Sequence, residues 1–178
     1  MPQYKGHALV IVRRWIRAAG PDAERRLLAG LTEDHRNRYL ELVATAWVPV
    51  DFANEFYTAA APILYPTDPR PLRRIGAELA RENLGGVLRF VLRVLAVETL
   101  VEKTAALWGR FHDTGTAVTL RRDRSIELQV TGYPELPERI RETIVGWLAQ
   151  AVELSGAKHV AVIKNDDPKR WTWTLTWR

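Results

Sequence analysis

Arg170-Trp-Thr-Trp-Thr-Leu-Thr-Trp-Arg178 is the stretch that decides the fold, because large apolar side chains alternate in it with threonines. Successive side chains of a strand point to opposite faces, so Trp171, Trp173, Leu175 and Trp177 form one apolar stripe. Each tryptophan buries roughly 150–250 Å² when it is covered. The pattern therefore predicts a strand whose apolar face is covered by helices, a partner or a ligand.

The totals of the chain are those of one soluble globular domain. It has 178 residues, of which 47% are hydrophobic and 26% charged, with a net charge of +5. It contains no cysteine, which excludes disulfides, thiolate metal sites and cysteine nucleophiles. No run of about 18 apolar residues is present and the first residues lack the apolar core of a secretory signal, so we predict a cytoplasmic protein.

Helical spacing of apolar residues dominates the first third of the chain. It predicts helices over residues 6–19 and 22–29, and a third helix that begins at Thr32. Asp51 is expected to cap a fourth helix. The side chains expected on the apolar side of the third helix are Tyr39, Leu40, Val43 and Ala44.

A proline-rich loop over residues 65–71 is the clearest break in the chain. It separates a helical part, residues 1–65, from a helix-plus-sheet part, residues 72–178. The helical part alone has few large apolar residues. We therefore interpret residues 1–178 as a single domain with a joint at this loop.

Three further helices are predicted after the loop. The first covers residues 72–83, and the second, residues 87–95, is apolar nearly all round and is expected to be the buried central helix. Apolar residues at helical spacing continue from Val97 to Phe111 and predict the third helix.

The periodicity then changes from helical to alternating. Residues 116–122 and 125–131 are predicted strands, and residues 138–154 form the most regular helical pattern in the chain. A third strand is predicted over residues 159–164, before the tryptophan strand. The predicted fold class is α+β: N-terminal helices, then hairpin–helix–hairpin forming a four-stranded antiparallel sheet covered by helices.

Catalytic motifs are absent from the sequence, and we predict that the protein is not an enzyme and has no catalytic residue. The four histidines are scattered, and none has the spacing of a helical metal site, so no metal ligand is predicted. His112 is the one histidine that stands out, at the end of an amphipathic helix. A histidine stabilised by the helix dipole explains it, and an acid–base or ligand role is the alternative.

Arginines cluster at the tip of the first hairpin. A turn brings the side chains of Arg121, Arg122 and Arg124 together, and such a basic surface is able to bind phosphate groups. A soluble turn explains the same residues. Nucleic-acid binding is therefore the alternative function, less favoured than the one given below.

Aromatic residues supply the other candidate site. A space between the sheet and its helices that is lined by tryptophans holds an apolar small molecule in many proteins, and plain core packing starts from the same residues. Both interpretations stay open. The candidate ligand-pocket residues are Phe56, Tyr57, Phe90, Trp108, Phe111, His112, Trp147 and Trp173.

Several structural motifs resemble those of a known family. The segments concerned are Leu100 to Phe111 with Trp108, Val130-Thr-Gly-Tyr-Pro134, Gly146-Trp147, Gly156-Ala157, and Asp167-Pro168 leading into Trp177. In these the chain resembles a myxobacterial paralogous family of uncharacterised function whose members have about its length. More distantly it is similar to the superfamily that joins the vinyl-reductase-like ligand-binding domains, the heme nitric-oxide-binding domains and the transport-particle subunits.

The resemblance implies a fold and a ligand-binding role, and two departures limit it. The cysteines that vinyl-reductase-like members often carry near the last hairpin are absent, and so is the Tyr-x-Ser-x-Arg signature that holds the heme propionates. No heme or other cofactor is therefore predicted. The predicted function is a non-enzymatic signalling domain, a sensor or adaptor that binds an apolar small molecule or a protein partner, with a homodimer as one arrangement.

Overall fold

A computed structural model gives the fold of the protein and describes residues 1–84, 97–122 and 125–178. In these residues helices come first, and a four-stranded antiparallel sheet packed against helices follows. The predicted α+β class is confirmed. The central helix expected over residues 87–95 lies outside the described residues. None of the described helices is long and apolar enough to cross a bilayer.

The first part of the chain consists of helices and one small two-stranded sheet. Its elements are β1 (Gln3–Lys5), α1 (Gly6–Ala18), α2 (Pro21–Ala29), α3 (Glu33–Glu41), β2 (Trp47–Pro49), α4 (Val50–Leu64) and α5 (Pro71–Asn83). Gly20, with a φ of 109°, separates α1 from α2, because this backbone conformation is open mainly to glycine. Strands β1 and β2 pair antiparallel, with Tyr4 opposite Val48. The sequence pattern did not predict this pair.

Two expectations for this part are wrong. Helix α3 ends at Glu41, so Val43 lies outside it, and Leu40 and Val43 are 65% and 55% exposed. Helix α3 is polar and buries only Tyr39, so it lacks the apolar face that was expected to extend to Val43 and Ala44. Asp51 is not the cap of α4, because β2 runs directly into the helix through Pro49; Asp51 instead accepts a hydrogen bond from the Phe52 N–H group at 2.8 Å.

The second part of the chain carries the sheet. Its elements are α6 (Val97–Ala106), α7 (Trp108–Phe111), β3 (Thr116–Arg122), β4 (Ser125–Thr131), α8 (Glu138–Leu154), β5 (Ala161–Asn165) and β6 (Arg170–Thr176). The helix predicted from Val97 to Phe111 is thus two helices separated at Leu107. The third strand begins at Ala161, two residues later than predicted.

The four strands lie in the order β3-β4-β6-β5, all antiparallel. Trp173 lies opposite Leu128 and Trp171 opposite Val130, and all four side chains are buried on the same face. The predicted apolar stripe of the last strand is therefore in the core. Trp177 follows the end of β6 and is half-buried.

Helices α5 and α8 touch through their backbones at two glycines. A Cβ atom at Gly76 would overlap the Thr143 carbonyl oxygen, and one at Gly146 would overlap that of Arg73. Beside this contact the Arg73 Nε group donates a hydrogen bond to Glu142 at 2.6 Å. The two glycines therefore set how closely the helices approach, and α8 in turn covers the buried face of the sheet.

Candidate functional site

Four buried polar-aromatic side chains meet where the helical part contacts the helix-plus-sheet part. Tyr4 comes from β1, Tyr57 from α4, His112 follows α7, and Tyr133 follows β4. Their exposed fractions are 7%, 0%, 5% and 0%. We call these four residues the joint cluster.

Strand β1 brings the two parts together. The side chain of Tyr4 points inward, and its backbone forms a β-bridge with His112. On the same strand the Gln3 N–H group donates to the Asp113 carboxylate at 2.7 Å, and the Asp113 N–H group donates to the Gln3 carbonyl at 3.3 Å. Local backbone bonds therefore fix Tyr4 and His112 side by side, although they lie far apart in the sequence.

The rings of the cluster are tightly packed. His112 stacks on Trp108, with ring centroids 4.0 Å apart and an interplanar angle of 9°. Tyr4 and Tyr133 approach the same imidazole edge-on, at 5.1 and 6.0 Å. The hydroxyl groups of Tyr4 and Tyr57 are hydrogen-bonded at 3.2 Å. The imidazole thus lies at the centre of the cluster, among aromatic rings.

Two buried polar atoms of the cluster are unsatisfied. In the described part of the chain, neither His112 Nδ1 nor the Tyr133 hydroxyl oxygen has a hydrogen-bond partner. A buried polar group without a partner costs about 1–3 kcal/mol of stability. Such a group in a native protein calls for an explanation, and a water molecule, a ligand or a functional role is the usual one.

The cluster is also uncharged at physiological pH. Burial lowers the pKa of His112 from 6.5 to about 3, against a smaller opposite effect of the Asp113 carboxylate. Burial likewise raises the pKa of the Tyr133 hydroxyl, as it does for Tyr4 and Tyr57. The cluster therefore suits a neutral hydrogen-bonding group better than an ion.

The predicted pocket residues do not all meet in one place. Tyr57 and His112 belong to the joint cluster. Phe56 and Trp108 adjoin it, since Phe56 contacts Tyr57 at a centroid distance of 6.1 Å and Trp108 stacks on His112. The others are elsewhere or undescribed. Phe111 and Trp147 are half-buried, on α7 and α8 respectively. Trp173 is in the core of the sheet, where its indole N–H group donates to the Arg141 carbonyl at 3.3 Å. Phe90 lies outside the described residues.

Sequence reasoning missed Tyr4 and Tyr133 as site residues. Tyr133 appears in the sequence analysis only within Val130-Thr-Gly-Tyr-Pro134, one of the structural motifs of the resemblance. Tyr4 lies in a strand of three residues, too short to show a period. Their depth and their contacts, rather than any local pattern, place them in the cluster.

The predicted basic surface is described in part. Arg121 and Arg122 are exposed at the end of β3, and Arg124 lies outside the described residues. No cluster of three or more histidine, aspartate or glutamate residues able to hold a metal ion occurs in the described ranges.

Two open cavities lie on the surface of the described part. One, of about 390 Å³, is lined by Trp15, Tyr65, Glu78, Arg81 and Glu82. The other, of about 510 Å³, lies between α5, α8 and β5. No residue of the joint cluster lines either of them.

The overall arrangement has the H-NOX fold. A crystal structure of the unliganded Fe(II) H-NOX protein from K. algicida matches with a TM-score of 0.67 and 8% identity, covering 98% of this chain and 96% of that one. An H-NOX protein from S. oneidensis in the Fe(II)NO ligation state matches with a TM-score of 0.66 and 13% identity, covering 98% and 99%. At such low identity the likeness shows the fold alone.

A third solved structure agrees with these two. It is an oxygen complex of an oxygen-binding H-NOX domain related to soluble guanylate cyclases, with a TM-score of 0.57 and 9% identity over 95% of this chain and 94% of that one. No protein-family model and no curated protein sequence matches the chain. The expected similarity of fold to the heme nitric-oxide-binding domains is confirmed, and membership of the myxobacterial family stays a prediction.

Proposed function

We propose that the protein is a non-enzymatic sensor domain that binds a small, uncharged ligand at the joint cluster. The observation that carries this proposal is the pair of unsatisfied atoms, His112 Nδ1 and the Tyr133 hydroxyl oxygen, in an apolar aromatic surrounding. A ligand with a largely apolar body and a hydrogen-bonding group pairs with both. We therefore propose that the apolar small molecule predicted from the sequence also carries a hydrogen-bonding group.

The position of the cluster suits a sensor. Its members come from both parts of the chain, so a ligand that separates the rings changes the contact between those parts. A ligand shifts a conformational equilibrium only as far as it binds one state better than the other. Proteins of the same fold are described with nitric oxide and oxygen bound, which supports a ligand-binding role for this chain.

Heme, which the fold family implies, does not fit the described residues. The His112 ring is enclosed by those of Trp108, Tyr4 and Tyr133, with centroids 4.0, 5.1 and 6.0 Å from its own, so these described rings leave no space for a porphyrin beside it. The other three histidines lie outside the cluster: His7 and His159 are exposed, and His35, whose ring lies 5.3 Å from that of Phe52, contacts Glu55. The sequence also lacks the propionate-binding signature. We therefore assign no step of the function to heme.

Native mass spectrometry of protein purified from its own source, before and after organic extraction, tests the proposal directly. We expect a copurified small molecule that extraction removes. After extraction, a panel of neutral lipids and aromatic compounds should contain a compound that raises the melting temperature, because binding to the folded state stabilises it.

A matched pair of variants assigns the effect to the cluster. Tyr133→Phe removes the unsatisfied hydroxyl and should abolish the ligand-induced rise, whereas Tyr65→Phe makes the same chemical change at a half-buried tyrosine outside the cluster and should preserve it. The proposal fails if no molecule copurifies and no compound shifts the melting temperature, or if Tyr133→Phe responds like the wild type.

Other expectations from the sequence stay predictions. A protein partner, a homodimer, a cytoplasmic location and the absence of enzymatic activity are among them. The alternative function, nucleic-acid binding through the basic hairpin, gains no support from the three H-NOX structures. If fluorescence anisotropy with short DNA and RNA shows no binding at low salt, that alternative is excluded.

A further inference from the structure

A carboxylate is fixed beside the joint cluster, that of Asp113. Asp113 directly follows His112, and its carboxylate accepts hydrogen bonds from the Gln3 N–H group and the Thr114 hydroxyl group, both at 2.7 Å. Gln3 in turn directly precedes Tyr4. Because both bonds hold the carboxylate in place, its charge stays next to two members of the cluster.

The charge of Asp113 acts on the cluster. Desolvation raises the pKa of its carboxyl group, but the hydrogen bonds from Gln3 and Thr114 are the main causes that together lower it further, so it is ionised at neutral pH. Burial raises the pKa of the Tyr133 hydroxyl, and the carboxylates of Asp113 and Glu135 raise it further. Both carboxylates therefore disfavour a second negative charge at this position.

No cation offsets these carboxylates among the contacts of the cluster. In the described part of the chain, the side chains of the four residues contact aromatic rings and one another, and none contacts a lysine or an arginine. An ionised carboxylate of a ligand would have to give up its water here without a cation to replace it, which is strongly unfavourable. The cluster therefore selects against an anionic ligand.

The two unsatisfied atoms also restrict the hydrogen-bonding group of the ligand. The Tyr133 hydroxyl donates and accepts, whereas the neutral imidazole of His112 has a proton on one nitrogen only, so Nδ1 is either a donor or an acceptor. A hydroxyl group of a ligand pairs with both atoms in either tautomer. A ketone or an ether pairs with Nδ1 only when that nitrogen carries the proton.

The packing of the rings favours a small group. The centroids of Trp108, Tyr4 and Tyr133 lie 4.0, 5.1 and 6.0 Å from that of the imidazole. A hydroxyl group has a single heavy atom. It is therefore the smallest group that both donates and accepts.

We propose that the ligand of the joint cluster is an alcohol, and that Asp113 helps to exclude the carboxylate with the same carbon skeleton. The hydroxyl group of the alcohol pairs with His112 Nδ1 and with the Tyr133 hydroxyl, and its apolar body lies against the aromatic rings. This inference rests on the proposed function, to which it adds the chemical class of the ligand and a residue that determines specificity.

Two series of matched compounds test the proposal on the full chain. One series is n-octanol, methyl hexyl ketone and octanoate; the other is cyclohexanol, cyclohexanone and cyclohexanecarboxylate. Thermal shift and isothermal titration calorimetry measure their binding. We expect the alcohol of at least one series to bind, its ketone to bind roughly two- to tenfold more weakly, the range for one hydrogen bond, and its carboxylate at least about tenfold more weakly.

Asp113→Asn tests the source of the charge selection. The asparagine oxygen still accepts from Gln3 and Thr114, but the charge is gone, so the preference for the alcohol over the carboxylate should fall severalfold at low salt. Asp113 is exposed, so added salt should reduce the preference of the wild type as well. Asp22→Asn, at an exposed aspartate on α2, is the matched control and should keep the preference of the wild type.

Each of several results would overturn the proposal. They are a carboxylate or a ketone that binds as tightly as its alcohol, a preference that Asp113→Asn leaves unchanged, and no binding of either alcohol up to about 1 mM. The proposed function fails differently. A carboxylate or ketone whose binding Tyr133→Phe abolishes would overturn the alcohol alone, whereas a site at the cluster fails when Tyr133→Phe leaves the binding of every compound unchanged.

Discussion

Trp171 and Trp173 donate their indole N–H groups to the carbonyls of Tyr133 and Arg141, at 2.7 and 3.3 Å. The joint cluster is equally aromatic and equally buried, but two of its polar atoms have no partner in the described residues. The two buried indole groups of β6 are thus satisfied, while the cluster retains an energetic cost. Natural proteins accept such local costs mainly at functional sites.

Tyr133 belongs to both regions. Its carbonyl oxygen accepts the Trp171 indole N–H, while its hydroxyl oxygen in the joint cluster is unsatisfied. The backbone of Tyr133 is therefore held by β6, while its unsatisfied hydroxyl group lies in the joint cluster. The four predictions below test whether the two regions differ as this contrast implies.

The largest change in unfolding free energy is expected for a substitution in β6, the strand that carries Trp171 and Trp173. Trp173→Ala should cost roughly 3–5 kcal/mol of unfolding free energy, because the residue is fully buried and its removal leaves a cavity. Denaturant melts measure this. Removal of the chain from Arg170 onward should abolish cooperative unfolding.

Thr174→Ala is the control on the opposite face of the same strand. Thr174 is half-buried and its hydroxyl lies 3.4 Å from Glu127, so we expect a cost of about 0.5–1 kcal/mol. A truncated chain that unfolds cooperatively with an unchanged midpoint would show that this strand is not central to the fold.

The second effect concerns the helix that covers this strand. Gly146→Ala should cost about 2–3 kcal/mol, because a Cβ atom there would overlap the Arg73 carbonyl oxygen and force α5 and α8 apart. Gly109→Ala is the control, since a Cβ at that exposed position meets no atom within 4 Å. Similar unfolding midpoints for the two variants would contradict the close helix contact.

The third prediction is a pH dependence that arises in the joint cluster. Below about pH 6.5 a histidine in the unfolded chain takes up a proton, whereas folded His112 stays neutral down to a pKa of about 3. His112 therefore lowers the unfolding free energy as the pH drops below about 6.5, by up to about 1.4 kcal/mol per pH unit.

Urea melts between about pH 7 and 5 isolate this contribution. The pKa of Glu24 is lowered by the hydrogen bond that the Tyr39 hydroxyl donates to it. Burial raises the pKa of Glu142, but Arg73 and Lys164 together lower it further, so both carboxylates contribute only at lower pH. His112→Phe should flatten the dependence in this range, and His7→Gln, at an exposed histidine, should not. A wild type whose stability is constant over the range would show that His112 is not held neutral.

The smallest effect has the opposite sign. Tyr133→Phe removes an unsatisfied buried hydroxyl and should raise the unfolding free energy by about 1 kcal/mol. Tyr57→Phe removes the hydrogen-bond partner of Tyr4 and should lower it by about the same amount. Destabilisation by both substitutions would mean that the Tyr133 hydroxyl is satisfied in solution, for example by an ordered water molecule.

The sheet could be predicted from the sequence because its information is local. Alternation over residues 116–131 and 170–176 shows which face of each strand is buried, and the register of β4 with β6 then follows from pairing the apolar faces. The long helix α8 could be predicted for the same reason. Its period of 3.6 is sustained over residues 138–154.

Tyr57 and His112 of the joint cluster were among the expected pocket residues, whereas Tyr4 and Tyr133 could not be predicted, because no local pattern encodes their place in it. Tyr4 and Tyr57 are 53 positions apart, and the strand that carries Tyr4 has three residues. The pocket residues were predicted mainly because they are aromatic, with no information on which of them are close in space. Trp173 was therefore placed with Trp108, although it lies in the satisfied core of the sheet.

Strand β1 and the residue before it connect the joint cluster to the first residues of two helices, α1 and α4. Gln3 is bonded in both directions to Asp113, the neighbour of His112, while the Pro2 carbonyl accepts the N–H group of Val50, the first residue of α4. Helix α1 starts at Gly6, directly after the strand, and the Gly6 N–H group donates to the Ala46 carbonyl at 2.9 Å. We therefore expect a displacement of His112 to move the first turns of α1 and α4 together, because backbone hydrogen bonds and direct chain continuity connect them.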